Sequence, residues 1–343
     1  MLSDAEIRDI LVDRIDMQRR CVGIVVGVIT PKGRRVIAHG LRAQDDTRPL
    51  DGDTVFEIGS VAKAFTALLL ADMVQRGEVG LDDPLAKYLS ADVRVPERGG
   101  RKITLIDLAT HTSGLPSWPP NMAPIGDPAV RGYGFDQLHE FLSGYALTRA
   151  PGAEWEYSNP GYALLGYALA HRAGGDYSAL VRARITSPLG MSSTATTATG
   201  EMKARLAAGH DENLQPAPYM DVPVLAAAGA GWLSTADDLL AFLGAALGYV
   251  GSPLAPAMAA MLEVRRPGPA FLAFLGAKQA LGWRVYGEGE MAVVGIEGAT
   301  IGFTSALAFS PRTREGAAVL YNARSVPNGL NSAAGLAAAV LTG

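Results

Sequence analysis

The sequence is poor in the residues that build cross-links and metal sites. It has one cysteine, Cys21, in 343 residues, which excludes an intrachain disulfide and any cysteine-rich zinc site. The five histidines show no His-Glu-x-x-His spacing, so a zinc hydrolase is not supported. The absence of a Gly-x-Ser-x-Gly segment also argues against an α/β-hydrolase with a Ser-His-Asp triad.

An excess of positive charge and long apolar runs are absent as well. The formal net charge is -4, so we expect no broad basic surface and no nucleic-acid partner. Apolar stretches such as 64–73 are far shorter than the roughly 20 residues of a membrane-spanning helix, so no membrane span is expected. The first six residues have no basic segment followed by an apolar run, which predicts a cytoplasmic protein, or a periplasmic or secreted one if a leader was removed. The oligomeric state is left open.

The apolar pattern predicts an α+β fold, an α/β sandwich. Helical spacing over 4–18 is followed by two β-like runs, and helical patterns dominate 60–274. Strand patterns return near the C-terminus before a closing helix. The predicted strands are 22–29, 35–39, 282–286, 291–294, 304–309 and 317–321, and the closing helix is 331–341.

This order predicts an antiparallel sheet flanked by N- and C-terminal helices, with a large all-helical insertion beside it. We expect residues 1–59 and 275–343 to form a discontinuous α/β sheet domain and residues 60–274 a mainly helical domain. The active site is expected in the cleft between the two.

Ser60 and Lys63 form a Ser-x-x-Lys motif at the start of a strongly apolar helical run. Residues three apart share a helix face, which brings the lysine amine beside the serine hydroxyl. A buried lysine accepts a proton near neutral pH, and serine needs such a base to act as a nucleophile. Alone, the motif is also compatible with a capping serine and a solvated lysine.

Tyr157 and Asn159 form a second motif, Tyr-Ser-Asn, in a Pro- and Gly-rich loop ahead of a helix. Near Ser60 and Lys63, the ammonium would favour the ionised phenol, which could then relay protons to the leaving group and the attacking water. Asn159 could hydrogen-bond Lys63 and a substrate carbonyl. In isolation, a turn with a packed tyrosine explains the segment equally well.

Several segments in this order resemble the serine β-lactamase-like and penicillin-binding-protein superfamily. They are Phe-Glu-Ile-Gly-Ser-x-x-Lys at 56–63, His-Thr-Ser-Gly-Leu-Pro at 111–116, the stretches 151–166 and 231–239, Leu-Gly-Trp at 281–283, and 298–303. The Tyr-x-Asn form of the second motif is similar to class C β-lactamases, D-Ala-D-Ala carboxypeptidases and family VIII carboxylesterases. The resemblance implies an acyl-serine intermediate on Ser60, with Lys63 and Tyr157 sharing the base work, and no metal or organic cofactor.

The third motif departs from this pattern. Related enzymes carry Lys-Thr-Gly, His-x-Gly or Trp-x-Gly on the strand beside the nucleophile, whereas this chain has Ile296-Glu297-Gly298. An isoleucine cannot hold a substrate carboxylate, so a neutral acyl donor fits better. Gly298 still permits close approach, and the N–H groups of Ala299 and Ser60 can form an oxyanion hole.

Arg324, on an adjacent segment, is a candidate for the missing positive charge, although an exposed structural arginine is the simpler interpretation. The expected function is a serine hydrolase, a carboxylesterase acting on small or short-acyl esters, with a small-molecule ester or amide as substrate. Three alternatives stay open: a class-C-like β-lactamase or D-amino-acid peptidase or transpeptidase, an acyltransferase, and a non-catalytic ligand-binding member of the fold.

Overall fold

A computed structural model describes residues 1–288, 292–324 and 332–343. Helices are distributed along the whole chain, and two of them continue as π-helical turns, at Asp13–Met17 and Arg182–Thr186. The α-helices are α1 (Asp4–Val12), α2 (Lys63–Gln75), α3 (Leu105–Ala109), α4 (Phe135–Gly144), α5 (Asn159–Ala173), α6 (Tyr177–Val181), α7 (Gly200–Ala204), α8 (Ala236–Ala246), α9 (Ala255–Met261) and α10 (Ala333–Thr342). No helix among the described residues combines the length and the apolar character that crossing a bilayer requires.

Fifteen strands occur in the described residues, and nine of them form one antiparallel sheet. They are β1 (Gly23–Thr30), β2 (Gly33–Ala43), β3 (Asp46–Pro49), β4 (Phe56–Glu57), β5 (Glu97–Arg98), β6 (Arg101–Lys102), β7 (Gly209–His210), β8 (Pro216–Ala217), β9 (Leu233–Ser234), β10 (Arg266–Pro267), β11 (Lys278–Gln279), β12 (Arg284–Tyr286), β13 (Val293–Ala299), β14 (Thr304–Ser310) and β15 (Glu315–Tyr321). The large sheet has the order β10-β11-β12-β13-β14-β15-β1-β2-β3, so β1 pairs with β15 and the two ends of the chain share one sheet.

The two faces of the sheet bury different cores because side chains alternate along each strand. Ile24, Val26 and Val28 of β1 pack in a cluster with side chains of α1 and α10. Val25 and Ile29 point to the other side, into the core that holds α2 and α8. This confirms the predicted sheet, which is split in sequence and flanked by the terminal helices.

The structure differs from the sequence reading in the helical region. Little strand was expected over 60–274, yet β5 to β10 all lie there, each two residues long. Two-residue strands are too short to produce an alternating apolar pattern, which explains why they escaped detection. The predicted starts of the fourth strand and the closing helix, Met291 and Asn331, lie outside the described residues.

Candidate active site

Ser60 lies in the 3-10 turn Gly59–Ala62, which leads directly into α2. Lys63 is the first residue of α2 and is buried, and its Nζ lies 2.9 Å from Ser60 Oγ. The three-residue spacing brings the two side chains together, as the sequence predicts. Because this pair sits at the N-terminal end of α2, the helix dipole favours negative charge that develops there.

The Lys63 amine has two further oxygen neighbours. Asn159 Oδ1 lies 2.9 Å from Nζ, and the carbonyl oxygen of Ala228 lies 2.5 Å from it. Both oxygens can only accept, so they take two N–H bonds of the amine. Burial lowers the pKa of Lys63 well below its ordinary value, and the nearby Arg284 guanidinium lowers it further. In its neutral form, the amine therefore has its lone pair available to the Ser60 hydroxyl.

Tyr157 completes the constellation from the other side, with its hydroxyl 2.6 Å from Ser60 Oγ. The sequence argument expected a lysine ammonium to favour the ionised phenol, and this was wrong. Burial raises the pKa of Tyr157 to about 12, although the Ser60 hydrogen bond and Arg284 favour the ionised form. Desolvation acts against charge on both partners, so burial favours the neutral amine and the neutral phenol. Tyr157 is thus prepared to donate a proton.

His111 supports the loop that carries Tyr157. Its backbone lies in the left-handed region at φ 59°, and its Nδ1 accepts the Ser158 N–H at 3.1 Å. Its carbonyl accepts the Glu156 N–H at 2.7 Å, and its ring centroid lies 4.6 Å from that of Tyr157. Burial lowers the pKa of His111 well below its ordinary value, so the ring is a neutral packing partner for the phenol.

The start of α5 fixes Asn159. Ser158 caps this helix, because its side chain accepts the Gly161 N–H at 3.0 Å. Asn159 Nδ2 donates to the carbonyl of Ser117 at 3.0 Å, which leaves Oδ1 directed at Lys63. The local capping signal therefore places the second motif beside the first.

Strand β13 packs directly against the nucleophile turn, and glycines make this approach possible. A Cβ at Gly298 would lie 2.2 Å from the Ile58 carbonyl oxygen and 2.8 Å from the Ser60 nitrogen. A Cβ at Gly59, whose φ is 48°, would lie 2.9 Å from the nitrogen of Ala299. Ser60 and Ala299 both line the same cavity, as an oxyanion hole formed by their N–H groups would require.

The remaining sequence candidates lie at different distances from the chemistry. Ile296 is partly buried and lines a small recess with Ser60 and Lys63. Arg324 lines the main cavity, where its Nη1 donates to the Thr300 carbonyl at 3.1 Å and its Nε lies 3.6 Å from Glu212. Arg324 therefore shares the cavity with Ser60 and has an acidic neighbour, Glu212.

Sequence reasoning missed Arg284, the cation that acts on the catalytic cluster. It lies on β12, which pairs with β13 through Arg284 and Gly295. Its guanidinium sits 5.9 Å from the Trp155 ring centroid, and Nη1 lies 3.3 Å from Glu297 Oε1. The signal in the sequence was a single arginine within the strand pattern 282–286, next to the predicted strand of the third motif.

The cluster opens into a cavity of about 490 Å³. Aromatic side chains form much of its apolar wall, with Trp118 and Trp155 on loops and Phe271 on the turn Ala270–Leu275. A cavity of this size and lining suits a small, largely apolar molecule.

Comparison with known proteins identifies the family of this chain. The family model described as Beta-lactamase matches residues 7–342. The D-alanyl-D-alanine-carboxypeptidase/endopeptidase AmpH of Escherichia coli is 34% identical over 244 residues, which cover 70% of this chain and 61% of AmpH. Esterase EstB of Burkholderia gladioli is 32% identical over 194 residues, or 53% of this chain and 49% of EstB. The aligned regions thus leave a substantial part of both relatives uncovered.

Solved structures share the fold along the whole chain. A β-lactamase/D-alanine carboxypeptidase from Yersinia pestis superposes with a TM-score of 0.82 at 26% identity, covering 99% of both chains. A class C β-lactamase gives a TM-score of 0.84 at 21% identity, covering 99% of this chain and 96% of that one, which is a likeness of fold. Because the family model covers nearly all of the sequence, the chain belongs to the beta-lactamase family of serine hydrolases.

Proposed function

We propose that this protein is a carboxylesterase that hydrolyses small, neutral, short-acyl esters through an acyl-enzyme on Ser60. The observation that carries the proposal is the electrical neutrality of the cleft around the nucleophile. Burial favours the neutral forms of Lys63 and Tyr157, Ile296 is apolar, and the charge of Arg284 is opposed by Glu297. Among the described residues, both arginines that line the cavity, Arg284 and Arg324, have an acidic partner, so a substrate carboxylate would find neither of them unopposed.

In the acylation step, the Ser60 hydroxyl gives its proton to the Lys63 lone pair while Oγ attacks the ester carbonyl carbon. The N–H groups of Ser60 and Ala299 stabilise the oxyanion. When the tetrahedral intermediate collapses, the carbon–oxygen bond to the alcohol breaks and Tyr157 donates its proton to the departing oxygen. The phenolate that remains recovers a proton from the Lys63 ammonium, which restores both neutral groups.

Deacylation uses the same groups in reverse order. A water molecule takes the place of the alcohol beside Tyr157 and loses a proton to the Tyr157 and Lys63 pair as it attacks the acyl carbon. Collapse releases the carboxylic acid and returns the proton to Ser60. Asn159 keeps the Lys63 amine in place through both steps, because its Oδ1 accepts one of the amine hydrogens.

A second candidate is hydrolysis of a β-lactam or a D-alanyl peptide. It is supported by the names of the relatives, which include the carboxypeptidase AmpH and the β-lactamase of Pseudomonas fluorescens. These activities would use the same nucleophile, so the acyl donor distinguishes the two candidates. An acyltransferase would differ only in the acceptor that replaces water.

The test is a parallel assay of the wild type and Ser60→Ala on p-nitrophenyl butyrate and nitrocefin, with intact-mass spectrometry for an adduct on Ser60. We expect ester turnover with little nitrocefin hydrolysis, and a loss by a factor on the order of 10⁴ or more in Ser60→Ala. Ser113→Ala is the matched control, because this buried serine only accepts a hydrogen bond from the Leu115 N–H. Dominant nitrocefin turnover would favour the second candidate, and absence of both turnover and adduct would favour a non-catalytic ligand-binding protein.

A further inference from the structure

The turn Ala270–Leu275 is an exposed segment made entirely of apolar residues. Its sequence is Ala-Phe-Leu-Ala-Phe-Leu, and none of its six residues is buried. Phe271 is 67% exposed, Phe274 81% and Leu275 46%. Three large apolar side chains in one exposed turn contribute nothing to the core, and such patches mark binding surfaces.

This turn continues the wall of the catalytic cavity. Phe271 lines the cavity, and its ring meets that of Trp155 edge-on, with centroids 6.1 Å apart. Trp155 in turn lies 6.4 Å from Tyr157 between ring centroids. Its indole is fixed, because Nε1 donates to Gln279 Oε1 at 3.0 Å. An aromatic path therefore runs from the phenol beside Ser60 out to the exposed turn.

The position of Tyr157 assigns a direction to this path. In the proposed mechanism, Tyr157 donates its proton to the alcohol oxygen, so the alcohol part of the ester must lie against Tyr157. From there, the alcohol extends along Trp155 and Phe271. The oxyanion points at the N–H groups of Ser60 and Ala299, and the acyl group takes the remaining direction, away from this path.

We infer that the turn Ala270–Leu275 and Trp155 form a binding site for the alcohol part of the substrate, and that this alcohol is apolar, an aryl group or an alkyl chain of several carbons. The inference rests on the proposed function for its direction. It deepens that function, because it assigns short length to the acyl group and apolar bulk to the alcohol.

The test uses two series of esters. One series keeps the acetyl group and varies the alcohol from ethanol to octanol, with benzyl acetate added; the other keeps ethanol and varies the acyl group from acetyl to octanoyl. For the wild type, kcat/KM measured by acid release should rise about twofold for each methylene of the alcohol, since a half-open surface captures part of the transfer free energy of a methylene. Lengthening the acyl group should give no comparable rise.

Phe271→Ser should flatten the alcohol series, with a loss of kcat/KM that grows with each added methylene, and Phe274→Ser should affect only its longest members. Phe135→Ser is the matched control, because Phe135 is 41% exposed but lines a separate cavity. If kcat/KM rose along the acyl series and Phe271→Ser removed that rise, the inference would be overturned. The acyl group, and not the alcohol, would then lie along Trp155 and Phe271. Equal slopes for wild type and Phe271→Ser would also overturn it.

A binding measurement separates this inference from the proposed function. Calorimetric titration of 1-octanol into Ser60→Ala should give saturable binding that Phe271→Ser weakens about fivefold or more, whether or not any ester is hydrolysed. If esters are not hydrolysed but octanol binds in this way, the proposed function fails and the alcohol site stands. If octanol binds equally with and without Phe271, or does not bind, the site fails even when esters are hydrolysed. Binding of the turn only to lipid vesicles, with no octanol site, would likewise overturn it.

Discussion

The two walls of the catalytic cleft differ in how they handle charge. The wall built by α2 and the start of α5 carries Ser60, Lys63 and Asn159 with short hydrogen bonds and full burial of the amine. The wall built by β12 and β13 carries the ions Arg284 and Glu297, joined by one contact of 3.3 Å and partly open to solvent. The helical wall is a hydrogen-bonded network in which burial favours neutral groups, whereas the strand wall carries an ion pair that is partly open to solvent.

This difference suggests a division of labour. Proton transfer between matched groups needs a fixed, desolvated arrangement, which the helical wall provides. Substrate selection depends on the electrostatic field at the bound molecule. The partly exposed ion pair of the strand wall sets that field. The predictions below disturb each wall in turn.

Removing the phenol from the helical network should have the largest effect. Tyr157→Phe keeps the ring contacts with His111 but deletes the proton donor, so kcat for ester hydrolysis should fall by a factor of about 10² to 10⁴. Steady-state kinetics on p-nitrophenyl butyrate would measure this. Tyr162→Phe is the control, because its hydroxyl donates only to the buried Ala109 carbonyl, and its kcat should change little. Comparable losses in both variants would refute a specific role for Tyr157.

A buried acid, Glu57 on β4, lies just before the nucleophile turn. Burial raises the pKa of Glu57 to about 7 from 4.5, although the Met220 N–H favours its charged form. Because the folded state holds the proton more tightly than the unfolded state, the protein loses stability as pH rises from about 4.5 to 7. Glu57→Gln should therefore match the wild type near pH 4.5 and exceed it at pH 8 by roughly 3 kcal/mol in free energy of unfolding.

Urea denaturation at the two pH values would measure the Glu57 effect. Glu154→Gln, which alters an exposed glutamate, should follow the wild type at both. A constant difference between Glu57→Gln and the wild type across pH would contradict the expectation, since it would assign the change to packing.

The strand wall should act on the helical wall through the field of Arg284. This guanidinium helps to hold the pKa of Lys63 low, alongside burial, and it favours ionisation of Tyr157. Removing it in Arg284→Gln should raise the pKa of Lys63, so the acid limb of the kcat/KM profile should move to higher pH, costing about tenfold at a pH on that limb. Glu297→Gln frees the guanidinium from its counter-charge, so its acid limb should move to lower pH.

Opposite shifts in these two variants would be a sharp result, because a merely structural role would lower activity at all pH values. Arg284→Lys keeps the charge and should restore most of the wild-type profile. Shifts of the same sign in Arg284→Gln and Glu297→Gln would break the proposed link between the walls.

The sequence made the helical wall predictable and the strand wall much less so. Ser60 and Lys63 are three residues apart on one helix start, so their contact follows from local geometry. Tyr157 and Asn159 came from the motif and its resemblance, and the cap at Ser158 explains their placement. The protonation state of Tyr157 was harder to predict, because the burial that raises its pKa depends on packing from distant segments.

Arg284 illustrates why the strand wall escaped prediction. Its proximity to Ser60 depends on the pairing of β12 with β13 and on the packing of β13 against the nucleophile turn. Neither is encoded in local spacing. The overall sheet was predictable because β1, β14 and β15 are long and buried, so their apolar patterns are strong.

The smallest expected effect comes from placing a charge on the strand wall at Ile296. Ile296→Lys introduces an ammonium into the recess shared with Ser60 and Lys63, which should improve turnover of the anionic nitrocefin relative to p-nitrophenyl butyrate by a few-fold. Ile296→Met, of similar length and uncharged, is the control and should leave the ratio unchanged. If Ile296→Lys and Ile296→Met change the ratio of nitrocefin to p-nitrophenyl butyrate turnover equally, side-chain shape at this position governs selection. The strand wall then selects substrates by size instead of charge. If only lysine changes it, the isoleucine of the third motif is what keeps the wild-type cleft suited to neutral donors.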